Sequence, residues 1–177
     1  MANLKPGDQA VPFSLSGVDG SQHALADYAD KEAVAVIFSC NHCPYVRAWE
    51  GRMVQIQSDY ADKGVQLIAI NSNDARKYPD DSFPRMKERA KEKGFNFPYL
   101  YDETQEIAQA YGAERTPEVF LFDKSGVLHY HGAIDDNYDN PKAVQNQYLR
   151  RALDAVLAGQ TPPTAQTPPV GCTIKWK

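Results

Sequence analysis

Residues 36–46 read VIFSCNHCPYV: an apolar, β-branched run, then Cys40-Asn41-His42-Cys43, then Pro44. The run starts at Ala33 and stays apolar to Phe38, without the alternation of a half-exposed strand, as a central strand covered on both faces would. Beyond Pro44 the period changes. Val46, Trp49, Met53, Ile56 and Tyr60 fall three and four apart, which predicts a helix with one face on a core and Gly64 as its cap. CNHC therefore occupies the turn where a buried strand hands over to a long helix.

Outward from this unit, strands and helices alternate. Phe13-Ser14-Leu15 and His23-Ala24-Leu25 flank Asp19-Gly20 and read as a leading hairpin, about 10–26. Val65–Ile70 is a second strand, 72–81 a polar loop, and Ser82–Lys93 a charged helix closed by Gly94. Phe97–Tyr101 is a short strand. A helix then runs from about Thr104 to Tyr111, capped by Asp102 or Thr104 and stopped by Gly112. Glu118–Phe122 and Val127–Gly132 around Asp123–Gly126 form a second hairpin. Asn140-Pro141 predicts the start of a last helix reaching Leu157. The pattern gives one α/β domain over 1–159 with a mixed central sheet flanked by helices, followed by a proline-rich tail over 160–177.

Composition narrows the function classes. The chain has 177 residues, 42% apolar and 24% charged, with a net charge of −4. That gives no electrostatic reason to expect nucleic acid or an anionic membrane. The amino end shows no signal-peptide pattern, and no stretch approaches a membrane span. Three cysteines leave one over from any full pairing, which suits a reducing compartment, here the cytoplasm, rather than a disulfide-stapled scaffold. The Lys/Arg/Glu run 85–93 reads as a solvated helix face, and Trp49, Tyr60, Phe120 and Phe122 as core.

The chemistry gathers at Cys40 and Cys43. A two-residue spacer in a tight turn brings the sulfurs within bonding reach, and the positive end of the helix favours a thiolate there. His42, when protonated, adds charge beside them and makes a disulfide easier to reduce. Half of a metal site, or two buried structural thiols, are the alternatives the spacing leaves open.

With Thr116-Pro117 standing directly before the strand Glu118–Phe122, the chain resembles the thioredoxin-like superfamily. The leading hairpin, the inserted helix and the stretches CNHCPYV, TPEVFLFD and GCTIKW resemble its redoxin branch, the alkyl hydroperoxide reductase/thiol-specific antioxidant family, and a peroxiredoxin-like group with CxxC within it. The resemblance implies a thioredoxin-like fold. It also implies a thiol–disulfide oxidoreductase in which Cys40 attacks, Cys43 resolves, a cis Pro117 shapes the groove and the Thr116 backbone pairs with an extended substrate. The implied partners are a disulfide-containing protein or small thiol substrate and an external reductant or oxidant, with no organic cofactor. There are departures. Ser39 stands where thioredoxins have Trp, Asn-His replaces Gly-Pro, and Ala33–Phe38 lacks the buried acid.

Two rival functions belong to other classes. A thiol peroxidase of this branch resembles P-x-x-x-T-x-x-C, but the matching positions are Val36 and Cys40 before Cys43, or Ala33 and Ile37 before Cys40. A copper or zinc module would use both cysteines and a distant histidine. His129 and His131 read as core or surface instead, and no metal site is assigned.

The tail ends Val170-Gly-Cys-Thr-Ile-Lys-Trp176, too apolar for a free chain end, so docking with burial of Ile174 and Trp176 is expected. The residues from Gly159 to Cys172 can extend about 40 Å, enough to bring Cys172 to the CNHC turn as a third redox thiol. An idle thiol is the alternative.

Overall fold

Strand β3, Ala33–Ser39, is buried along its whole length and organises the rest. Its alternate side chains enter two cores. Ala33, Ala35 and Ile37 face one way and Val34, Val36 and Phe38 the other, as the two-residue period of a strand requires. The computed structural model describes residues 3–177; residues 1 and 2, the start of the expected 1–159 span, lie outside the described residues.

In chain order the elements are β1 (Ser14–Gly17), β2 (Gln22–Ala24), β3, α1 (Pro44–Tyr60), β4 (Val65–Asn71), α2 (Phe83–Lys93), β5 (Tyr99–Tyr101), α3 (Glu106–Tyr111), β6 (Arg115–Thr116), β7 (Glu118–Asp123), β8 (Leu128–Gly132), α4 (Tyr148–Leu157) and β9 (Cys172–Thr173). Seven strands form one mixed sheet in the order β2-β1-β5-β4-β3-β7-β8, and β6 and β9 form a separate pair. β3 runs parallel to β4 and antiparallel to β7, with Ile37 opposite Ala69 on one side and Val119 on the other.

One face of the sheet is covered by α1 and α4 through Trp49, Met53, Ile56, Leu149 and Leu153, and the other by α3 through Ala108 and Tyr111. Asp135 ties α1 to the loop after β8: it accepts from the Trp49 indole N–H at 3.0 Å and pairs with Arg52 at 2.7 Å. Among the described residues no helix is long and apolar enough to cross a membrane.

The structure changes two expectations. The last helix does not start at Asn140-Pro141. Asn140 caps only a 3-10 turn, Pro141–Ala143, and the Asp136 carboxylate then takes the amides of Gln145 and Asn146, which delays α4 to Tyr148. Segment 72–81 is the polar loop expected; its middle, 76–80, is exposed, while Ser72, Asn73, Asp74 and Asp81 at its ends are buried. In the tail Ile174 is buried, whereas Trp176 remains 40% exposed. Strand geometry ends at Thr173, and the Lys175 backbone turns aside to bond with Asn73 and Gln105, so the two-residue alternation does not carry Trp176 inward.

Leu121→Ala removes a fully buried side chain from β7 beside β3. It should cost about 2–5 kcal/mol, read as a lower Tm with the fold retained.

Candidate active site

The CNHC turn begins one residue after β3 ends and closes at the cap of α1. Cys43 is the N-cap residue, and Pro44 takes the first helical position, where its missing N–H is no loss. Cys40 and Cys43 are both buried, 3% and 1% exposed. All three cysteines are free thiols. They meet in one cluster with Val46 and Tyr45, and Cys172 packs against it from β9.

The turn is fixed by a carboxylate that the sequence did not single out. Asp81, at the end of a 3-10 turn, is fully buried. It accepts from the Asn41 backbone N–H at 2.7 Å, from Asn71 Nδ2 at 3.2 Å and from Asn73 Nδ2 at 3.0 Å. The Asn41 side chain is held in turn: its Nδ2 donates to the Asp80 carbonyl, and its Oδ1 accepts from the Tyr99 hydroxyl at 2.7 Å. His42 Nδ1 lies 2.7 Å from Asp81, and its ring stacks on Tyr78. A protonated His42 is thus matched by a buried anion rather than offered to the sulfurs alone. Arg47 donates to the Asn41 carbonyl and so supports the turn from α1.

Thr116 faces both sulfurs. Its Oγ1 is 3.5 Å from Cys40 Sγ and its carbonyl oxygen 3.5 Å from Cys43 Sγ. The Thr116–Pro117 peptide bond is cis.

The surroundings divide the thiols. Cys43 is lowered from about 9 to about 4, above all by the Cys40 thiol donating to it, opposed by burial, and then by the Cys172 thiol and the amides of Val46 and Cys172. The Thr116 carbonyl works against the charge, but it is outnumbered. Cys40 is pushed up by its bond to Cys43, by burial and by the Asp81 charge. Cys172 is pushed up to about 11 by burial and by its bond to Cys43. Cys43, at the helix cap, is thus the thiol whose charged form is favoured, and Cys40 the one whose charged form is disfavoured.

Among the described residues no three His, Cys, Asp or Glu side chains are placed to hold a metal ion. His129 pairs with Asp123 and His131 with the buried Glu118, each at 2.6 Å, and both are thereby engaged elsewhere.

A mixed sheet with a CxxC turn between its central strand and the following helix, faced by a cis proline loop, defines a thioredoxin-like protein. The chain belongs to the AhpC/TSA family, whose model matches residues 6–131. An uncharacterized conserved protein from Geobacillus kaustophilus is 46% identical, with a TM-score of 0.92 over 97% of this chain and 92% of that one. A hypothetical protein from Sinorhizobium meliloti is 40% identical, with a TM-score of 0.93 over 99% and 97%. The thiol-disulfide oxidoreductase ResA of Geobacillus thermodenitrificans is 30% identical over 120 residues, 68% of this chain. The match spans 64% of that relative's own length, less than two thirds.

Two outcomes follow. With Cys43 ionised in the reduced state, reducing a Cys40–Cys43 disulfide takes up one proton between pH 5 and 8. The potential should fall by about 30 mV per pH unit, against about 59 for two protons, as measured against a glutathione buffer. The depressed value also means that Cys43 adds to the stability of the reduced fold as pH rises from about 4 toward 9, and that this contribution is lost as pH falls through 4. Asp81→Asn removes the charge opposing Cys40 and should lower the Cys40 pKa in a thiol titration. It also weakens the bonds to Asn41 and Asn73, by about 1–3 kcal/mol in thermal unfolding.

Proposed function

We propose that the protein is a thiol–disulfide oxidoreductase whose Cys40–Cys43 pair cycles between dithiol and disulfide. The observation that supports it most is geometric: two cysteines at the turn into α1, Cys43 at its cap, whose sulfurs each lie 3.5 Å from Thr116 beside the cis Pro117. The thiolate is the attacking species in disulfide exchange, and a neighbouring thiol is what resolves the product. In this reading Cys43 attacks one sulfur of a substrate disulfide. The substrate S–S bond breaks, Cys43 becomes disulfide-linked to one substrate sulfur, and the other departs as a thiolate and takes a proton. Cys40, giving up its proton, then attacks Cys43 Sγ. Cys40–Cys43 forms and the second substrate thiol leaves. An external thiol reductant regenerates the pair, and running the steps backward oxidises a substrate dithiol. The Thr116 edge receives the extended chain that bears the substrate cysteine. The three free thiols suit a reducing compartment such as the cytoplasm.

A thiol peroxidase is the second reading, favoured by one observation: a low-pKa sulfur at a helix start in an AhpC/TSA family member. There Cys43 would attack a hydroperoxide and pass through a sulfenic acid, which Cys40 would condense into the same disulfide.

Insulin-disulfide reduction and trapping test the first reading. Cys43→Ser should abolish turnover, and Cys40→Ser combined with Cys172→Ser, which leaves no second thiol to resolve it, should accumulate a mixed disulfide to Cys43. Stable trapping by Cys43→Ser would return the attacking role to Cys40. A peroxide rate of Cys43 well above that of a free thiol, with no insulin reduction, would favour the peroxidase.

A further inference from the structure

The edge that a substrate strand would use is already occupied. β9 runs antiparallel to β6, with Cys172 opposite Thr116 and Thr173 opposite Arg115. The approach is close. A Cβ on Gly171 would stand 2.0 Å from the Thr116 carbonyl oxygen, so only glycine allows the chain to lie there. Further bonds hold the segment on both sides of the pair. Arg115 Nη1 donates to the Gly171 carbonyl at 3.0 Å, the Ile174 amide to the Glu114 carbonyl at 2.9 Å, and the Asp74 amide to the Lys175 carbonyl at 2.8 Å. Ile174 is buried in the core beneath α3.

This placement decides what Cys172 touches. Cys172 lies opposite Thr116 in the β6–β9 pair and packs against the cluster that holds Cys40 and Cys43, while Thr116 itself stands 3.5 Å from each of their sulfurs. Disulfide exchange needs three sulfurs gathered in this way, one bonded to a neighbour and attacked by the third.

We propose that Val170–Lys177 is an internal occupant of the substrate-strand site, and that Cys172 alternates with Cys40 as the disulfide partner of Cys43, latching the groove shut when it does so. The proposal rests on the redox cycle of Cys40 and Cys43 described above. Starting from the Cys40–Cys43 disulfide, the Cys172 sulfur loses its proton and attacks Cys43 Sγ. Cys43–Cys172 forms, Cys40–Cys43 breaks, and Cys40 leaves with the electron pair and takes up the proton. The exchange is an isomerisation and needs no outside oxidant. Both outer sulfurs belong to cysteines packed in the same cluster as Cys43, so the bond passes in either direction. In the latched form the tail is covalently held over Thr116, and an extended substrate is excluded. An external thiol that reduces Cys43–Cys172, or the return of the bond to Cys40, frees the strand to lift.

The test uses the full chain in glutathione buffers, with acid quench, alkylation and peptide mapping. Cys40→Ser should form Cys43–Cys172 at a [GSH]²/[GSSG] ratio within tenfold of that at which the wild type is half oxidised. Adding Gly171→Ala, which cannot lie against Thr116, should shift that ratio by more than tenfold toward oxidising conditions. In the Gly171→Ala single variant Cys40–Cys43 should remain and insulin reduction should rise at least twofold, because the strand no longer competes. A shift of Cys40→Ser beyond tenfold, a Cys172 that only ever forms glutathione adducts, or an unchanged Gly171→Ala double variant overturns the latch. A wild type that forms no Cys40–Cys43 disulfide overturns the underlying redox cycle instead, so the two failures are distinguishable.

Discussion

The site depends on one buried carboxylate. Asp81 has no exposure to solvent, yet it satisfies the Asn41 amide, which would otherwise point into the interior from a turn with no regular hydrogen bonding. The same carboxylate takes side-chain donors from Asn71, the last residue of β4, and from Asn73 beyond it. One group therefore ties the ends of two neighbouring parallel strands to the redox turn. An unpaired charge at this depth would be strongly destabilising, and its three donors with His42 nearby make it tolerable. The Asp81 charge as a consequence raises the pKa of Cys40, after its bond to Cys43 and its burial.

The division of charge is where a tight CxxC turn becomes more than two adjacent sulfurs. The helix cap supplies the Val46 amide to Cys43, and β9 supplies a thiol and an amide. Against this stand burial and the Thr116 carbonyl. Cys40 receives only the Thr116 hydroxyl in compensation for burial and for Asp81. The β6 edge thus also contributes to the electrostatics of Cys43, through the chain that lies on it. A docked strand that donates to Cys43 makes it a better thiolate and also covers it.

The fold was legible because its signals are local and periodic. The unbroken apolar run Ala33–Phe38 and the three-and-four spacing from Val46 to Tyr60 each report a burial pattern that needs no knowledge of the partner. Ser82 and Gly94 bracket α2 as their chemistry demands. The Cys40–Cys43 spacing and Thr116-Pro117 were likewise readable as a thioredoxin-like pair. Asp81 was not. In Tyr78-Pro-Asp-Asp-Ser82 it reads as one more charged turn residue, because its burial depends on strands β3 and β4 meeting from elsewhere in the chain. The division between the two thiols was not legible for the same reason: besides the interaction of Cys40 with Cys43, the groups that shift them include Asp81, Thr116 and Cys172, none of them adjacent in sequence. The delayed start of α4 arises from Asp136, which competes for amides that the Asn140-Pro141 signal had assigned to a helix.

The tail shows how such a cover can be both ordered and removable. Ordering the eight residues from Val170 to Lys177 costs about 1–2 kcal/mol each in backbone entropy. Burying Ile174 returns about 1.5–3 kcal/mol. The bonds made through Gly171, Ile174, Lys175 and Lys177, together with the short β6–β9 ladder, return about 0.5–1.5 kcal/mol apiece. The opposing terms are of similar size, so a docked strand of this length opens at a cost of a few kcal/mol rather than the cost of unfolding the domain. Trp176, left half in solvent, adds little to the hold. Farther back, Ala165 and Thr167 are bonded to His131 along the edge of β8, so the last eight residues can lift while the preceding segment stays in place. A single covalent bond at Cys172 is then enough to convert a marginal cover into a closed one. In the proposed latch the chemistry of the third cysteine, more than the packing of the tail, sets access to the other two.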